Sequence, residues 1–280
     1  MNTKLINNFI KQTLKEDSSF FDITTRTLIP LDHRAKARII TRQPCVLCGM
    51  ELAKGIFKYL DKTISVKTRF KDGAILKKGE CLATIHGHTR GILSGERSAL
   101  NILGYMSGIA TLTHSYVSAV KSYKTLILDT RKTTPTMRWL EKYAVRCGGG
   151  VNHRFNLSDA AMIKDNHLAI SSKSLSMAES IKKLRKIKKE IIIEVENLDQ
   201  LTESLLAHPD IVLLDNMPAD QIKKAVLIRN RLNKKVLLEA SGGINLKTIQ
   251  SVARTGVERI SVGAITHAAP SIDLSLEMME

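Results

Sequence analysis

Residues 191–216 read I-I-I-E-V-E-N-L-D-Q-L-T-E-S-L-L-A-H-P-D-I-V-L-L-D-N. Two apolar runs, 191–196 and 211–216, flank a stretch at 198–206 whose apolar residues return at three- and four-residue steps. A continuous Ile/Leu/Val run suits a strand buried on both faces, whereas the longer step puts apolar groups on one face of a helix. The same event recurs along the chain. Further runs lie at 125–129, 160–165, 235–241 and 259–264, and further helical stretches at 177–189, 219–231 and 246–254. Six strands alternating with helices predict parallel β-α units, closed into a barrel in preference to an open sheet. Each run ends in polar or small residues: Arg131-Lys132, Lys164, Glu194, Asp215, Ser241-Gly242-Gly243 and Gly263. Ligands of parallel α/β folds sit at the C-terminal strand ends, so six such ends in succession predict a ring of functional groups around one mouth. No G-x-G-x-x-G follows the first run, which leaves a Rossmann dinucleotide site without support.

The first 110 residues read differently. H-R-A-K-A-R-I-I-T-R (33–42) and D-K-T-I-S-V-K-T-R-F-K-D-G (61–73) alternate like half-exposed strands, and K-K-G-E (77–80) turns into C-L-A-T-I-H-G (81–87). A small domain at 1–110 with a mainly antiparallel sheet is expected, followed by the barrel at 111–280. E-R-S-A-L-N-I-L-G-Y-M-S-G-I-A-T (96–111) reads as a helix bridging the two. The N-terminus has no signal-type apolar core, and Leu5, Ile6, Phe9, Ile10 and Leu14 fall at helical spacing. No window approaches the ~20 apolar residues of a membrane span. A cytoplasmic protein with no membrane partner is the expectation.

The four cysteines include one C-x-x-C, Cys45 and Cys48, without a second pair to complete a zinc site. It sits in the strand-like run P-C-V-L-C-G-M, so buried, inert thiols are expected. The net charge is +16, which attracts polyanions or anionic metabolites. K-K-L-R-K-I-K-K-E (182–190) accounts for part of it as a solvated helix face with Leu184 and Ile187 on the packed side. Aromatic residues make up only 4% of the chain, without the aromatic-rich basic strand that stacks bases, so nucleic acid is a partner suggested by charge alone.

Arg97, Arg131, Lys132, His153, Arg154 and Lys164 form a cationic set, with Glu194 and Asp215 opposite. Arginine forks suit carboxylates and phosphates, and lysine acts as a point charge. A pocket holding them calls for a ligand with several negative charges: two carboxylates, a phosphate or a pyrophosphate. S-G-G-I (241–244) and S-V-G-A (261–264) offer turns whose N–H groups can approach a phosphate, the first leading into a helix N-terminus. Glu194 and Asp215 can balance charge, bind ribose hydroxyls, hold Mg²⁺ through phosphate-bound water or stabilise a cationic sugar.

D-T-R-K-T-T-P (129–135), L-E-K-Y-A-V-R-C-G-G-G-V-N-H-R (140–154), I-K-D-N-H (163–167), L-L-D-N (213–216) and E-A-S-G-G-I (239–244) together resemble quinolinate phosphoribosyltransferase. D-I-T-T (22–25), E-R-S-A-L-N (96–101), S-G-I-A-T (107–111) and S-V-G-A-I-T-H (261–267) extend the likeness over nearly the whole chain. The resemblance implies an N-terminal α/β sandwich domain and an incomplete, six-stranded α/β barrel, the type II phosphoribosyltransferase fold, with the last residues free to return to the first domain. It implies a homodimer whose active sites are capped by the partner's N-terminal domain, and a reaction of quinolinate with phosphoribosyl pyrophosphate. The products would be nicotinate mononucleotide, pyrophosphate and CO₂, with Mg²⁺ required but no direct protein ligand to it.

Carried over by motif, Arg97 would reach quinolinate across the dimer. Thr130, Arg131, His153 and Arg154 would hold its carboxylates, and Lys132 and Lys164 would meet the phosphates. Glu194 and Asp215 would contact the ribose or its metal, while Ser241, Gly242, Gly243, Val262, Gly263 and Ala264 would cradle the 5′-phosphate. Lys132, Glu194 and Asp215 would carry the catalysis. Four positions depart from the family pattern: Phe21 and Thr136 stand where it has glycine, Met137 where it has leucine and Ile192 where it often has glutamate. The alternative is a paralogue of the same fold acting on another acid, such as the molybdenum-transport-associated branch.

Overall fold

A computed structural model describes residues 3–164, 166–167, 170 and 175–279. The chain divides into two compact units. The first holds the chain up to Leu112, Arg146–Gly148 and the segment from Ala269 onward; the second holds Thr113–Val145 and Gly149–Ala268.

In the first unit, α1 (Thr3–Glu16) and a 3-10 turn precede α2 (Ile23–Leu28), which Asp22 caps by accepting the Thr25 N–H at 2.9 Å. Then follow β1 (Arg34–Thr41), β2 (Cys45–Val46), α3 (Met50–Leu60), β3 (Ser65–Thr68), β4 (Ile75–Leu76) and β5 (Cys81–His88). The C-terminal β12 (Leu274–Met279) joins them in an antiparallel sheet of order β12-β1-β5-β3. Arg38 and Arg42, one side of the alternating strand, pair with Glu277 of β12 at 2.9 and 2.7 Å. Gly55 on α3 lets α1 approach closely, since a Cβ there would lie 2.5 Å from Ile10 Cδ1. The C-x-x-C does not act as a pair. Cys45 meets the Thr41 hydroxyl at 3.6 Å, while Cys48 groups with Cys147 and Asp72, their ligand atoms within 4.8 Å. Asp72 also accepts the Gly49 and Met50 N–H groups at 3.0 and 3.2 Å, so it anchors the start of α3. The neighbouring Cys147 thiol and burial push the Cys48 thiol far up, and it stays protonated.

The expected bridging helix is longer than its apolar spacing suggested. α4 runs from Thr89 to Ala119, starting as soon as β5 ends at His88. In the second unit follow β6 (Leu126–Leu128), α5 (Arg138–Cys147), β7 (Ala161–Ile163), α6 (Met177–Arg185), β8 (Ile191–Val195) and α7 (Leu198–Leu206). The series ends with β9 (Ile211–Asp215), α8 (Ala219–Leu232), β10 (Leu237–Ser241), α9 (Ile249–Ala253), β11 (Arg259–Ser261) and α10 (Ala264–His267). All strand pairs are parallel, in the order β6-β11-β10-β9-β8-β7. The closed ring expected from spacing is open: among the described residues β6 and β7 do not pair, and Leu128 is bridged by Val151 of the following loop. This is the incomplete six-stranded barrel that the resemblance implied.

Two details differ from expectation. α6 ends at Arg185 rather than 189, and Ile187 lies 55% exposed beyond it, so Met177 and Ile181 form the packed side. α9 starts only at Ile249, after a turn in which Asn245 and Thr248 hydrogen-bond each other. Asp165, at the end of one expected strand run, lies outside the described residues. Among the described residues no helix is long and apolar enough to cross a membrane.

Candidate active site

Successive strand residues point to opposite faces, so positions i and i+2 line one side. The second unit uses this rule on β7, β9, β10 and β11. Met162 and Lys164, Leu213 and Asp215, Glu239 and Ser241, and Ser261 and Gly263 all line one cavity of about 590 Å³, with Glu194 between them. The loop after β6 adds Thr130, Arg131 and Lys132, and the segment after α5 adds His153 and Arg154. A volume of this size suits a small-molecule ligand. Ile192, two residues before Glu194, is fully buried against Ala160, Ile211 and Leu213 and so belongs to the apolar floor.

A buried ion pair sets the 149–154 segment. Lys142 on α5 donates to Asp129 at the end of β6 and, at 3.0 Å, to the carbonyl of His153. Asp129 also accepts the His153 N–H at 2.8 Å and the Asn152 side-chain amide at 2.6 Å. Burial pushes the Asp129 carboxyl up and the Lys142 ammonium down, each opposed by its partner's charge. The network holds His153 and Arg154 at the cavity wall.

Arg154 is pinned by the Ala160 carbonyl at 3.1 Å. Burial, and then the charge of Arg131, pull its guanidinium below the ordinary arginine value, and Glu194 opposes them. Arg131 Nε is buried and makes no hydrogen bond among the described residues. Two guanidiniums thus line one cavity.

Lys164 pairs with Glu194 at 2.9 Å. Asp215 accepts from the Asn216 side-chain amide at 2.8 Å, and the Asn216 N–H donates to the Ser241 carbonyl at 2.8 Å, tying the ends of β9 and β10 together. Gly242 fits there because its φ is +93° and a Cβ would come within 2.1 Å of Asn216 Oδ1. Since α9 begins at Ile249, the turn's own backbone, rather than a helix end, faces the cavity. The Lys132 carbonyl accepts from the Thr266 hydroxyl at 2.7 Å, which fixes the β6 loop against the start of α10.

Fourteen of the sequence-predicted site residues thus line one cavity: Thr130, Arg131, Lys132, His153, Arg154, Lys164, Glu194, Asp215, Ser241, Gly242, Gly243, Val262, Gly263 and Ala264. Arg97 does not join them. It lies on α4 in the first unit, beside Leu100, Asn101 and residues 271–274. Sequence reasoning missed Glu239, Asn216 and His267 of the lining, and the Asp129–Lys142 pair behind it. Glu239 had a visible signal, a charged residue inside the apolar run K-V-L-L-E-A-S. Burial pushes its carboxyl up, but neighbouring His153 and the Arg259 guanidinium bring it below the ordinary value.

An incomplete α/β barrel with a cationic, glycine-turned cavity at its strand ends defines an anion-handling protein of the phosphoribosyltransferase type. Two family models match, the quinolinate phosphoribosyl transferase C-terminal domain over residues 109–277 and its N-terminal domain over 22–107. The chain belongs to the quinolinate phosphoribosyltransferase family. It is 40% identical over 277 residues to the carboxylating nicotinate-nucleotide pyrophosphorylase of Mycobacterium leprae, covering 96% of this chain and 95% of that protein. It is 41% identical to the probable enzyme of that name from Methanothermobacter thermautotrophicus, covering 97% and 98%. The solved nicotinate-nucleotide pyrophosphorylase of Francisella tularensis superposes with a TM-score of 0.94 at 39% identity, covering 100% of this chain and 98% of that one.

Proposed function

We propose that this chain transfers the phosphoribosyl group of phosphoribosyl pyrophosphate to quinolinate, with loss of CO₂, giving nicotinate mononucleotide and pyrophosphate. The reading serves pyridine-nucleotide synthesis in the cytoplasm. The observation that carries it is the pair of guanidiniums, Arg131 and Arg154, in one cavity that the Ser241–Gly243 turn also lines. Paired guanidiniums suit a dicarboxylate, and glycine turns suit a phosphate.

In this reading Arg131 and Arg154 orient the pyridine dicarboxylate, and Lys132 and Lys164 meet the phosphates. The ring nitrogen attacks the anomeric carbon as pyrophosphate departs. Glu194 and Asp215 stabilise the positive charge that builds on the sugar. The quaternised ring then accepts the electrons of the adjacent C–C bond, and CO₂ leaves. Positioning and electrostatics supply the catalysis, with no nucleophile from the protein.

Mg²⁺ fits this donor set. Among the described residues no three-ligand metal cluster lines the cavity, while Glu194 and Asp215 offer hard oxygens, which suits an ion held mainly by phosphate and water. When bound, it would neutralise charge on the leaving pyrophosphate. Arg97 acts in the partner's site of a homodimer, the first unit capping that site. The exposed Phe21, Ile23, Leu28 and Leu31, at 69–81% accessibility, support a covered face there.

Purified protein with Mg²⁺, phosphoribosyl pyrophosphate and quinolinate is expected to release CO₂ and form nicotinate mononucleotide, with nicotinate a poor replacement. Absence of quinolinate turnover sinks the reading. Arg131→Ala should raise the KM for quinolinate far more than that for phosphoribosyl pyrophosphate; equal losses would refute the division of roles.

A further inference from the structure

Glu239 lies on the inward row of β10 with its side chain fully buried. A buried carboxylate is costly unless paired and hydrogen-bonded. Arg259, its register partner on β11, donates from Nε to Oε2 at 2.8 Å. The other oxygen, Oε1, lies 3.1 Å from His153 Nε2, and among the described residues neither atom makes a hydrogen bond of good geometry. On the far side of the same ring, His153 Nδ1 accepts the Arg154 backbone N–H at 2.8 Å. A ring nitrogen that accepts a hydrogen bond carries no proton, so the proton of this imidazole sits on Nε2.

We infer that Glu239 is a positioning residue that fixes His153 as the neutral Nε2–H tautomer and makes its ring a strut between β10 and the Arg154 backbone. The Nε2–H points off the line of an ideal hydrogen bond but stays within ion-pair distance of Oε1. Three supports then converge on two residues. Asp129 holds the His153 backbone, Glu239 holds its ring, and the ring holds the Arg154 backbone N–H. The Arg154 guanidinium is thereby aimed along the cavity wall.

This changes the role carried over for His153. Its single N–H is buried and turned to Glu239, so the ring offers a ligand no hydrogen-bond donor. The carboxylates of a bound diacid are left to Arg131 and Arg154. Glu239 therefore acts on the diacid through the His153 side chain and the Arg154 backbone without touching it, whereas the Ser241–Gly243 turn at the end of the same strand offers a phosphate its backbone, which the His153 ring does not hold.

The diacid part rests on the proposed quinolinate reading; the tautomer does not. Nitrogen-15 NMR of histidine-labelled, ligand-free protein should show His153 with Nε2 protonated and Nδ1 bare at neutral pH. A doubly protonated ring, or a proton on Nδ1, overturns the inference without any variant having to fold. In Glu239→Gln the single amide oxygen can serve Arg259 or His153 but not both. Arg259 should take it and leave an amide N–H facing Nε2, which favours the other tautomer. The KM for quinolinate should then rise about tenfold, the size of one lost charge-assisted hydrogen bond, while the KM for phosphoribosyl pyrophosphate changes little. Glu239→Asp keeps the Arg259 charge pair but shortens the reach to His153, and should show the same split. An unchanged tautomer in both variants, or equal rises in both KM values, refutes the role. Wild-type protein with the expected tautomer but no quinolinate turnover would leave the strut standing and remove the function.

Discussion

Lys142→Met tests the network behind the site most directly. Methionine keeps most of the lysine volume, so little cavity is left. What goes is the ammonium that faces Asp129 and the His153 carbonyl. Lys142 and Asp129 have side-chain exposures of 3% and 0%, so water cannot replace it. Removing one partner of a buried pair costs about 3–5 kcal/mol. Asp129 retains donors from Asn152 and His153, which places the loss near the lower end, about 3 kcal/mol. Asp129→Asn/Lys142→Met carries no buried charge, and should lose much less than the two single variants added together. Urea unfolding of all four proteins measures this. The pH dependence has a fixed sign. Burial already holds the Asp129 carboxyl above its ordinary value, and loss of Lys142 raises it further. A carboxyl raised on folding takes up a proton as the chain folds, so the Lys142→Met deficit should shrink as pH falls. A loss under about 1 kcal/mol, or strict additivity in the cycle, would show that the pair is not the support assigned to it.

Thr136 adopts φ +67° where the family pattern has glycine. A β-branched residue there carries about 1–2 kcal/mol of strain, against about 0.5–1 kcal/mol of extra unfolded-chain freedom for glycine. Thr136→Gly should therefore raise the thermal midpoint slightly, and a fall would show that the threonine is held by contacts outweighing its strain. Gly242→Ala forces a Cβ to 2.1 Å from Asn216 Oδ1 at φ +93°. It should raise the KM for phosphoribosyl pyrophosphate more than that for quinolinate, and a variant kinetically equal to wild type would remove the Ser241–Gly243 turn from the phosphate site.

Much of the site was legible because strand-end chemistry is local. The i, i+2 rule, applied to runs such as I-I-I-E-V and I-V-L-L-D, puts Glu194 and Asp215 at one mouth whatever the rest of the chain does. The order of strands and helices was equally local, since both periods are written in the apolar spacing. Boundaries were less so: α6 ends four residues early and α4 extends beyond its apolar stripe, because solvated lysines and a strand's end leave no periodic trace.

Other properties belong to the tertiary structure alone. Spacing could not tell a closed ring from one open between β6 and β7, because pairing depends on which strand edges meet. Nor could it assign partners separated along the chain. Cys48 meets Cys147 rather than Cys45, and Lys142 meets Asp129 across a strand and a helix. Glu239 on β10 meets His153 because the Asp129–Lys142 pair folds the segment after α5 against the inward face of the sheet. The sequence by itself determined which groups stand at the mouth of this protein; folding decided which of them, like Lys164 with Glu194 and His153 with Glu239, are engaged with one another, because those pairings need elements distant in the chain to meet.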